Sequence, residues 1–482
     1  MTEIELKFQV RAGRRQALAR AMATTTGTRV ALRARYFDTA DRRLSQAALA
    51  LRVRKEGRRW VQTLKGAGDG LWQRLEHEVV LRVPAGVQPV ADPALHDGTP
   101  AGDALRQALG DARLEPIYGT QVTRQKRLLR AAGCLVEVAF DQGALWAGDR
   151  RWPLCELEFE LSSGQPAALA AVASRWVQRF GLSLDIRTKA ERGERLARGE
   201  RLGAPVKARA LAVADDVDGQ TALRQIVGNC LAQVLGNASD VAHEQDTLPE
   251  HLHQLRVGLR RLRTALRELG PASAEVRPEW DAALGQLFAR LGSARDRDAL
   301  AQTLLPALRK AGATGLELPQ IEPEPAAQLA LCEADTTRLW LQLMAFAAGT
   351  QASAEPFAAL ARQRLARLFK QVRRGAARFD TLDDVARHRL RKRVKRLRYL
   401  SEFAAACFPT RRVRDFMKTL SPAQDALGEF NDVCVARDLF RPATLTDPMA
   451  MFALGWLARE RDDAIARCVR VLAPLSKART FW

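Results

Sequence analysis

The chain opens with three charged residues at spacing two, Glu3, Glu5 and Lys7, separated by Ile4 and Leu6 and followed by Phe8. In an extended strand residues i, i+2 and i+4 share one face, so charge and hydrocarbon are sorted to opposite sides. The same phase groups Arg52 with Arg54, Thr63 with Lys65, and Arg74 with Glu76 and Glu78. It also groups Glu137 with Asp141, and Glu156 with Glu158 and Glu160. One such strand is an ordinary half-wetted strand. Repeated along a chain, the pattern describes a sheet with charges of both signs on one face. If that face lined a closed barrel, carboxylates and cations would share a lumen. Arg and Lys pair with phosphate oxygens. Carboxylates beside them would repel such a ligand unless a divalent cation stood between, and Mg²⁺ is commonly held by one or two carboxylates plus substrate phosphates. Acidic residues beside basic ones therefore point to metal plus phosphate, whereas a uniformly basic lining would point to binding alone.

A second constellation lies further on. Successive helical residues turn by about 100°, so His253, Arg256, Arg260 and Arg263 form one stripe, and His388, Arg391, Lys395 and Arg398 form another. Leu255, Leu259, Leu262 and Leu266 supply the apolar face of the first helix; Leu390, Val394, Leu397 and Tyr399 do much of this in the second. Few carboxylates stand at i,i+4 to neutralise either stripe. A further correspondence, Leu291-Gly-Ser-Ala-Arg295-Asp296 with Leu427-Gly-Glu-Phe-Asn431-Asp432, follows at nearly the same offset. These matches indicate an internal repeat of helical units. Two such stripes facing each other would make a long cationic groove. Aromatic residues that would stack on bases are nearly absent from the basic faces, so no specific nucleic acid is expected.

The elements that must position these residues follow from periodicity. Period-two alternation predicts strands over 3–10, 50–54, 61–65, 74–83, 135–141 and 153–161, with helices over 14–23 and 166–180. Many short strands in series suggest a sandwich or a barrel. Residues 203–216 read as a linker, and long Leu-, Ala- and Arg-rich helical patterns follow, broken near 312–325 and 349–356. His77 alternates out of phase with Glu76 and Glu78 and is expected on the outer face. His96, in Pro-Ala-Leu-His-Asp-Gly-Thr-Pro, is expected in a solvated loop.

The ordered set of motifs in the first half resembles the CYTH, or triphosphate tunnel, superfamily. It comprises Glu3-x-Glu5-x-Lys7, Tyr36-Phe-Asp38-Thr39, Leu51-Arg52-Val53-Arg54, Thr63-Leu-Lys65 and Arg74-Leu-Glu76-His-Glu78. Thr123-Arg124-Gln-Lys126, Glu137-Val-Ala-Phe-Asp141, Glu156-Leu-Glu158-Phe-Glu160 and Thr188-Lys189-Ala-Glu-Arg-Gly193 complete it. The resemblance covers residues 1–202 and implies an antiparallel eight-stranded β-barrel tunnel with flanking helices, loaded with Mg²⁺ or Mn²⁺. It implies metal ligation by Glu3, Glu5, Asp141, Glu156, Glu158 and Glu160, and triphosphate binding by Lys7, Arg52, Arg54, Lys65, Arg74, Arg124, Lys126 and Lys189. Glu5, Lys7, Glu76 and Glu78 form the expected catalytic set, and the expected reaction is hydrolysis of inorganic triphosphate. The second half, 217–482, resembles the CHAD domain through H-x-x-R-x-x-x-R/K-R-x-R, which occurs twice. That resemblance implies an all-α domain of two repeated four-helix bundles, with units at about 217–320 and 321–482, and binding of inorganic polyphosphate. Carried over residue by residue, the polyphosphate ligands are His253, Arg256, Arg260, Arg263, His388, Arg391, Lys395 and Arg398.

Composition sets outer limits. With 482 residues, 47% of them hydrophobic, and a formal net charge of +21, the chain is a globular protein that attracts polyanions. Seven scattered cysteines without C-x-x-C argue against a disulfide framework or structural zinc and suit a reducing cytoplasm. No apolar run approaches the roughly 20 residues of a membrane span. The expected setting is cytoplasmic, with association with polyphosphate granules; no signal fixes an oligomeric state. Two alternatives stay open: a tunnel acting on a nucleotide or thiamine triphosphate, for which Trp60 and Trp72 could supply ring contacts, and a non-catalytic polyphosphate-binding protein.

Overall fold

The structure, a computed structural model, describes residues 2–482 apart from 69, 71, 85, 215, 246, 293–303, 319–326 and 446. Eight strands form the first architecture: β1 (Thr2–Gln9), β2 (Thr28–Asp38), β3 (Ala50–Glu56), β4 (Arg59–Ala67), β5 (Gln73–Leu81), β6 (Glu115–Ala131), β7 (Cys134–Ala147) and β8 (Arg150–Ser163). They pair in the order β5-β4-β3-β2-β6-β7-β8-β1, every pair antiparallel, and β1 pairs back onto β5 to close the ring. A two-residue strand, β9 (Ser183–Leu184), pairs with β1 outside that ring.

Closure fixes which face of each strand is inside. The charged face of β1 turns inward, while Leu6 and Phe8 turn outward into an apolar layer. Phe8 meets Phe159 edge-on at 5.6 Å, and Phe159 meets Trp176 of the helix Pro166–Phe180 at 5.7 Å. Much of the hydrophobic core thus lies between the barrel's outer wall and the helices laid against it. The helix Pro100–Leu109 covers another part of that wall through Leu105 and Leu109, which pack with Leu44, Leu51 and Leu64.

One stretch of the interior is apolar. Leu32, Tyr36, Tyr118, Val122, Leu145, Trp152 and Leu154 pack with Leu196 of the helix Lys189–Arg198, filling part of the barrel. The Thr188 hydroxyl caps this helix, accepting from the Glu191 amide at 2.8 Å. Gly193 lets the helix lie against Tyr118, because a Cβ there would stand 2.2 Å from the ring. This packing leaves the charged stretch of lumen beside Lys189.

The chain divides into two compact units. The first holds residues 1–206 together with 234–251 and 327–349; the second holds 207–233, 252–326 and 350–482. Within the first unit, Arg187 is 3% exposed and reaches three carboxylates: Asp185 at 2.8 Å, Asp240 at 3.0 Å and Glu244 at 2.8 Å. Helix Ala334–Ala347 packs on Pro166–Phe180 in the same unit. The second unit is helical. Its helices include Pro278–Arg290, Phe357–Ala376, Asp384–Phe403, Thr410–Ala443 and Pro448–Ser476, with most of Pro249–Glu268. Leu255, Leu259, Leu262, Leu390, Val394 and Leu397 are buried, and Leu400 joins them.

Arg187 is the common cation of three carboxylates; Asp240 also pairs with Arg195 at 2.7 Å, so removing Arg187 leaves Asp185 and Glu244 without their arginine. Arg187→Met is expected to destabilise the first unit by about 3–5 kcal/mol, seen as a lower urea midpoint in tryptophan fluorescence. A change below about 1 kcal/mol would show that the network is not structural.

Candidate active site

The lumen beside Lys189 is a cavity of about 370 Å³. The resemblance-derived residues Glu3, Glu5, Lys7, Arg52, Arg54, Lys65, Arg74, Glu76, Glu78, Arg124, Lys126, Glu158, Glu160 and Lys189 all line it. They arrive from β1, β3, β4, β5, β6, β8 and the helix after Thr188, through the cross-strand register. Glu5 stands opposite Glu160, Lys7 opposite Glu158, Lys65 opposite Glu76 and Arg52 opposite Thr63. Arg59, Glu56, Glu137 and Tyr36 also line the cavity. Arg59 continues the inward phase of Val61, Thr63 and Lys65 by one step, a signal present in the sequence.

Asp141 and Glu156 lie behind this lining, with carboxylate oxygens within 4.8 Å of each other and of Glu158, a spacing that could hold a metal ion. In the structure the Lys189 ammonium sits among them, 2.8 Å from Asp141, 2.5 Å from Glu156 and 2.6 Å from Glu158. Arg124 adds a bidentate pair to Asp141 at 2.7 Å and a contact to Glu158 at 2.6 Å, while Arg192 pairs with Glu156. Burial alone would raise Glu158, but Lys189 and Arg124 hold it well below the ordinary carboxylate range. These acids are already compensated.

The β1–β5–β8 side is different. Lys65 serves Glu3 at 2.5 Å and Glu76 at 3.4 Å, and Lys7 stands 3.8 Å from Glu5. Burial, with Glu3 close by, pushes Glu76 up to about 7 despite Lys65. Burial and repulsion from Glu3 push Glu160 up to about 7 as well. Glu5 is raised by burial and by Glu158. Carboxylates that crowd and resist ionisation describe a place where a divalent cation would relieve the repulsion. Of the acids on this side Glu3 is already paired with Lys65, and Glu158 belongs to the Lys189 cluster; among the described residues Asp141, Glu156 and Glu158 are the group whose oxygens lie close enough to share an ion. Arg52 and Arg54 share Glu78 at 3.9 and 3.6 Å, and Thr63 donates to Glu78 at 2.8 Å.

His77 faces outward as expected. His96 does not lie in a solvated loop: it is fully buried, with Nε2 3.0 Å from the Gln62 amide and Nδ1 2.9 Å from His77 Nδ1. Burial and the neighbouring His77 push it down to about 4. Its loop-like composition hides the cover provided by the helix that follows. Trp60 and Trp72 do not line the lumen.

The second unit contains a groove of about 590 Å³. Arg256, Arg260, Arg263, His388, Arg391 and Lys395 line it, so the two stripes do converge. His253 and Arg398 are not among the lining residues; Arg398 pairs with Glu402 at 3.0 Å. Arg267, Arg389, Lys392, Arg393 and Arg396 add further cations, and Asp432 is the one acidic residue among the lining residues. Phe288 and Tyr399 line the groove too, so Tyr399 is not a core residue as its spacing suggested. Arg256 donates to the Leu291 and Gly292 carbonyls at 3.3 and 2.8 Å, and Arg263 pairs with Asp281 at 2.9 Å. His388 Nδ1 lies 3.2 Å from Asn431 Oδ1. Burial, with Arg260 and Arg391 nearby, pushes Lys395 down to about 6. Arg295 and Asp296 of the repeated motif lie outside the described residues.

A closed antiparallel barrel with carboxylates and cations in its lumen, followed by a helical domain with a one-sign groove, defines a two-module chain. Family models identify both modules: residues 1–193 match the CYTH domain and residues 225–441 the CHAD domain, so the chain carries one of each. It is 33% identical over 137 residues to an inorganic triphosphatase of Haemophilus influenzae, a match covering 27% of this chain and 35% of that relative. The chain thus matches about a third of the length of that curated relative. Among solved structures, the CHAD domain of the plant Ricinus communis is 31% identical, with 58% of this chain and 99% of that one covered and a TM-score of 0.49. A Hippeastrum protein described as an adenylyl cyclase with dominant triphosphatase activity is 15% identical, covering 42% and 97%, with a TM-score of 0.29.

The raised acids make stability depend on pH. With folded values near 7 against an ordinary 4.5, Glu76 and Glu160 favour the fold below pH 4.5, and that contribution is lost as pH rises through 7. In chelator, the melting temperature of the barrel is therefore expected to fall by a few degrees between pH 5.5 and 8. Saturating Mg²⁺, or Glu160→Gln, should flatten the trend. Identical profiles with chelator and Mg²⁺ would remove the case for a cation at these carboxylates.

Proposed function

We propose that the barrel hydrolyses inorganic triphosphate to pyrophosphate and phosphate with Mg²⁺ or Mn²⁺, and that the helical groove binds inorganic polyphosphate. The observation that carries this reading is the contrast in charge. Among its described lining residues the lumen sets nine Lys and Arg against eight Glu. A lining so nearly neutral offers a triphosphate little net attraction until divalent cations enter. Among its described lining residues the groove sets ten Lys and Arg against one Asp, a field that can hold a polyanion unaided.

Within the barrel, Arg52, Arg54, Arg124 and Lys126 would grip phosphoryl oxygens, with Lys7, Lys65, Arg74 and Lys189 completing the cradle. Glu3, Glu5, Glu158 and Glu160 would hold the metal, which when bound neutralises phosphate charge and lowers the pKa of a water ligand. Asp141 and Glu156, the other acids implied by the resemblance, would act by fixing Lys189. In the reaction, water oxygen bonds to a terminal phosphorus, the bridging P–O bond breaks, and pyrophosphate leaves. Glu76, poised near neutrality, is suited to take the proton that water gives up. Glu78 would orient Arg52 and Arg54. The lumen holds one aromatic residue among its described lining, Tyr36, whose phenol is hydrogen-bonded to Arg52 at 3.4 Å. This disfavours a nucleotide or thiamine substrate, whose ring needs an apolar seat.

The seven cysteines, none of them in a disulfide among the described residues, suit a reducing cytoplasm, and polyphosphate granules would be the natural place for such a groove. Among the described residues no helix is long and apolar enough to cross a membrane.

A phosphate-release panel with triphosphate, pyrophosphate, ATP, thiamine triphosphate and polyphosphate tests the substrate. Triphosphate should be turned over fastest, and Glu5→Gln should lower that rate by roughly 100-fold or more. Equal turnover by the variant would sink the metal site, and turnover of ATP alone would sink the substrate. Arg260→Ala with Lys395→Ala should weaken polyphosphate retention by roughly tenfold or more while leaving triphosphate turnover intact.

A further inference from the structure

The outer wall of the barrel carries a third charged surface that neither the tunnel nor the groove uses. It is a concave region of about 1180 Å³ bounded by β4, β3, β2, β6, β7 and β8 and, on one side, by residues 83, 84 and 86–89 after β5. No helix or carboxylate covers it: its described lining residues include no Asp or Glu. Register places its residues in lateral rows. Trp60 stands opposite Lys55, Lys55 opposite Arg33, Arg33 opposite Gln121 and Gln121 opposite Ala144. In the next row Arg35 stands opposite Gly119, Gly119 opposite Trp146 and Trp146 opposite Arg151. The five strand-to-strand steps from Trp60 to Arg151 span roughly 24 Å along the sheet, at about 4.8 Å each.

Arg33, Arg35 and Lys55 are exposed, and among the described residues none of them makes an ion pair. Some exposed cations of this chain do find a carboxylate, as Arg43 finds Asp41 at 2.8 Å and Arg106 finds Asp103 at 2.6 Å. The two indoles sit at opposite margins of the cationic rows. The Lys55 ammonium lies 5.6 Å from the Trp60 ring. The Trp146 indole lies over Gly119, where a Cβ would come within 2.4 Å of Cζ2; glycine is what lets the ring rest on the sheet. Gln121 and Gln142, both exposed, add amide donors and acceptors between the indoles.

We propose that this outer face binds single-stranded nucleic acid without sequence preference. Unpaired cations follow a sugar–phosphate backbone, and flat aromatic rings on a sheet stack with bases of any identity. The indoles decide between polyanions. Polyphosphate has no faces to stack, so Trp60 and Trp146 would contribute nothing to it, and that ligand is better served by the one-sign groove. The concave shape disfavours a flat anionic bilayer. The tunnel is separated from this face by the wall itself, since Arg33 and Arg35 point outward where Leu32 and Tyr36 point inward.

The test uses the full chain in an Arg260→Glu/Lys395→Glu background, which silences the groove. Fluorescence anisotropy with a labelled oligouridylate of about 12 nucleotides should show binding that weakens steeply with salt. Trp60→Ala/Trp146→Ala and, separately, Arg33→Glu/Arg35→Glu should each weaken it at least tenfold, with circular-dichroism melts and triphosphate turnover unchanged. Polyphosphate of equal charge should compete at least tenfold less well. Unchanged binding in both face variants would overturn the proposal. So would equal competition by polyphosphate, binding of anionic vesicles in place of the oligonucleotide, or a dimer that the face variants dissolve.

Discussion

A closed barrel whose inward face is charged must balance those charges within its own lumen. The Lys189 ammonium is the centre of that balance, held among Asp141, Glu156 and Glu158 at 2.5–2.8 Å. It depends on the capped helix that begins after Thr188, on Gly193 against Tyr118, and on the apolar packing that seats the helix in the barrel. With those acids compensated, the deficit of positive charge falls on Glu5, Glu76 and Glu160, where burial and mutual repulsion raise the carboxyls. The carboxyls left raised are the ones least served by the protein's own cations.

The groove of the second unit answers the opposite constraint. Its cations are crowded and only partly compensated: Arg396 pairs with Glu268 at 2.9 Å, while Lys395 is pushed down to about 6 by burial and its arginine neighbours. Arg256, Arg263 and Arg267 are partly tied to carbonyls or to Asp281, which fixes their direction without cancelling the field. A surface of this kind is destabilising alone and gains from a polyanion. The two cavities thus differ in whether acids accompany the bases, which is the contrast on which the proposed division between triphosphate and polyphosphate rests.

The inward phase of β1, β5 and β8 is legible because charge and hydrocarbon alternate cleanly through Glu3–Phe8, Arg74–Glu78 and Glu156–Glu160. The helix Pro166–Phe180 also stands where its pattern predicts. Strands β2 and β6 are harder to read. In β2 the sense is inverted: Arg29, Arg33 and Arg35 face out, while Val30, Leu32 and Tyr36 face the lumen side. β6 passes from the apolar packing at Tyr118 and Val122 to the charged lumen at Arg124 and Lys126, so no single alternation spans it. The burial of His96, the compensation of Asp141 and Glu156 by Lys189, and the tie between Arg187 and Asp240 all depend on contacts between distant segments, to which local spacing is blind. Arg398 is a milder case: Glu402 at i+4 could have been read as its partner.

In the proposed reaction, metal and triphosphate need each other in the lumen. Calorimetric binding of a non-hydrolysable triphosphate analogue, in Mg²⁺ and in chelator, measures this directly. The account predicts that Mg²⁺ tightens the analogue by roughly tenfold or more, and that the analogue tightens Mg²⁺ by the same factor. Equal affinity in chelator and Mg²⁺ would contradict it.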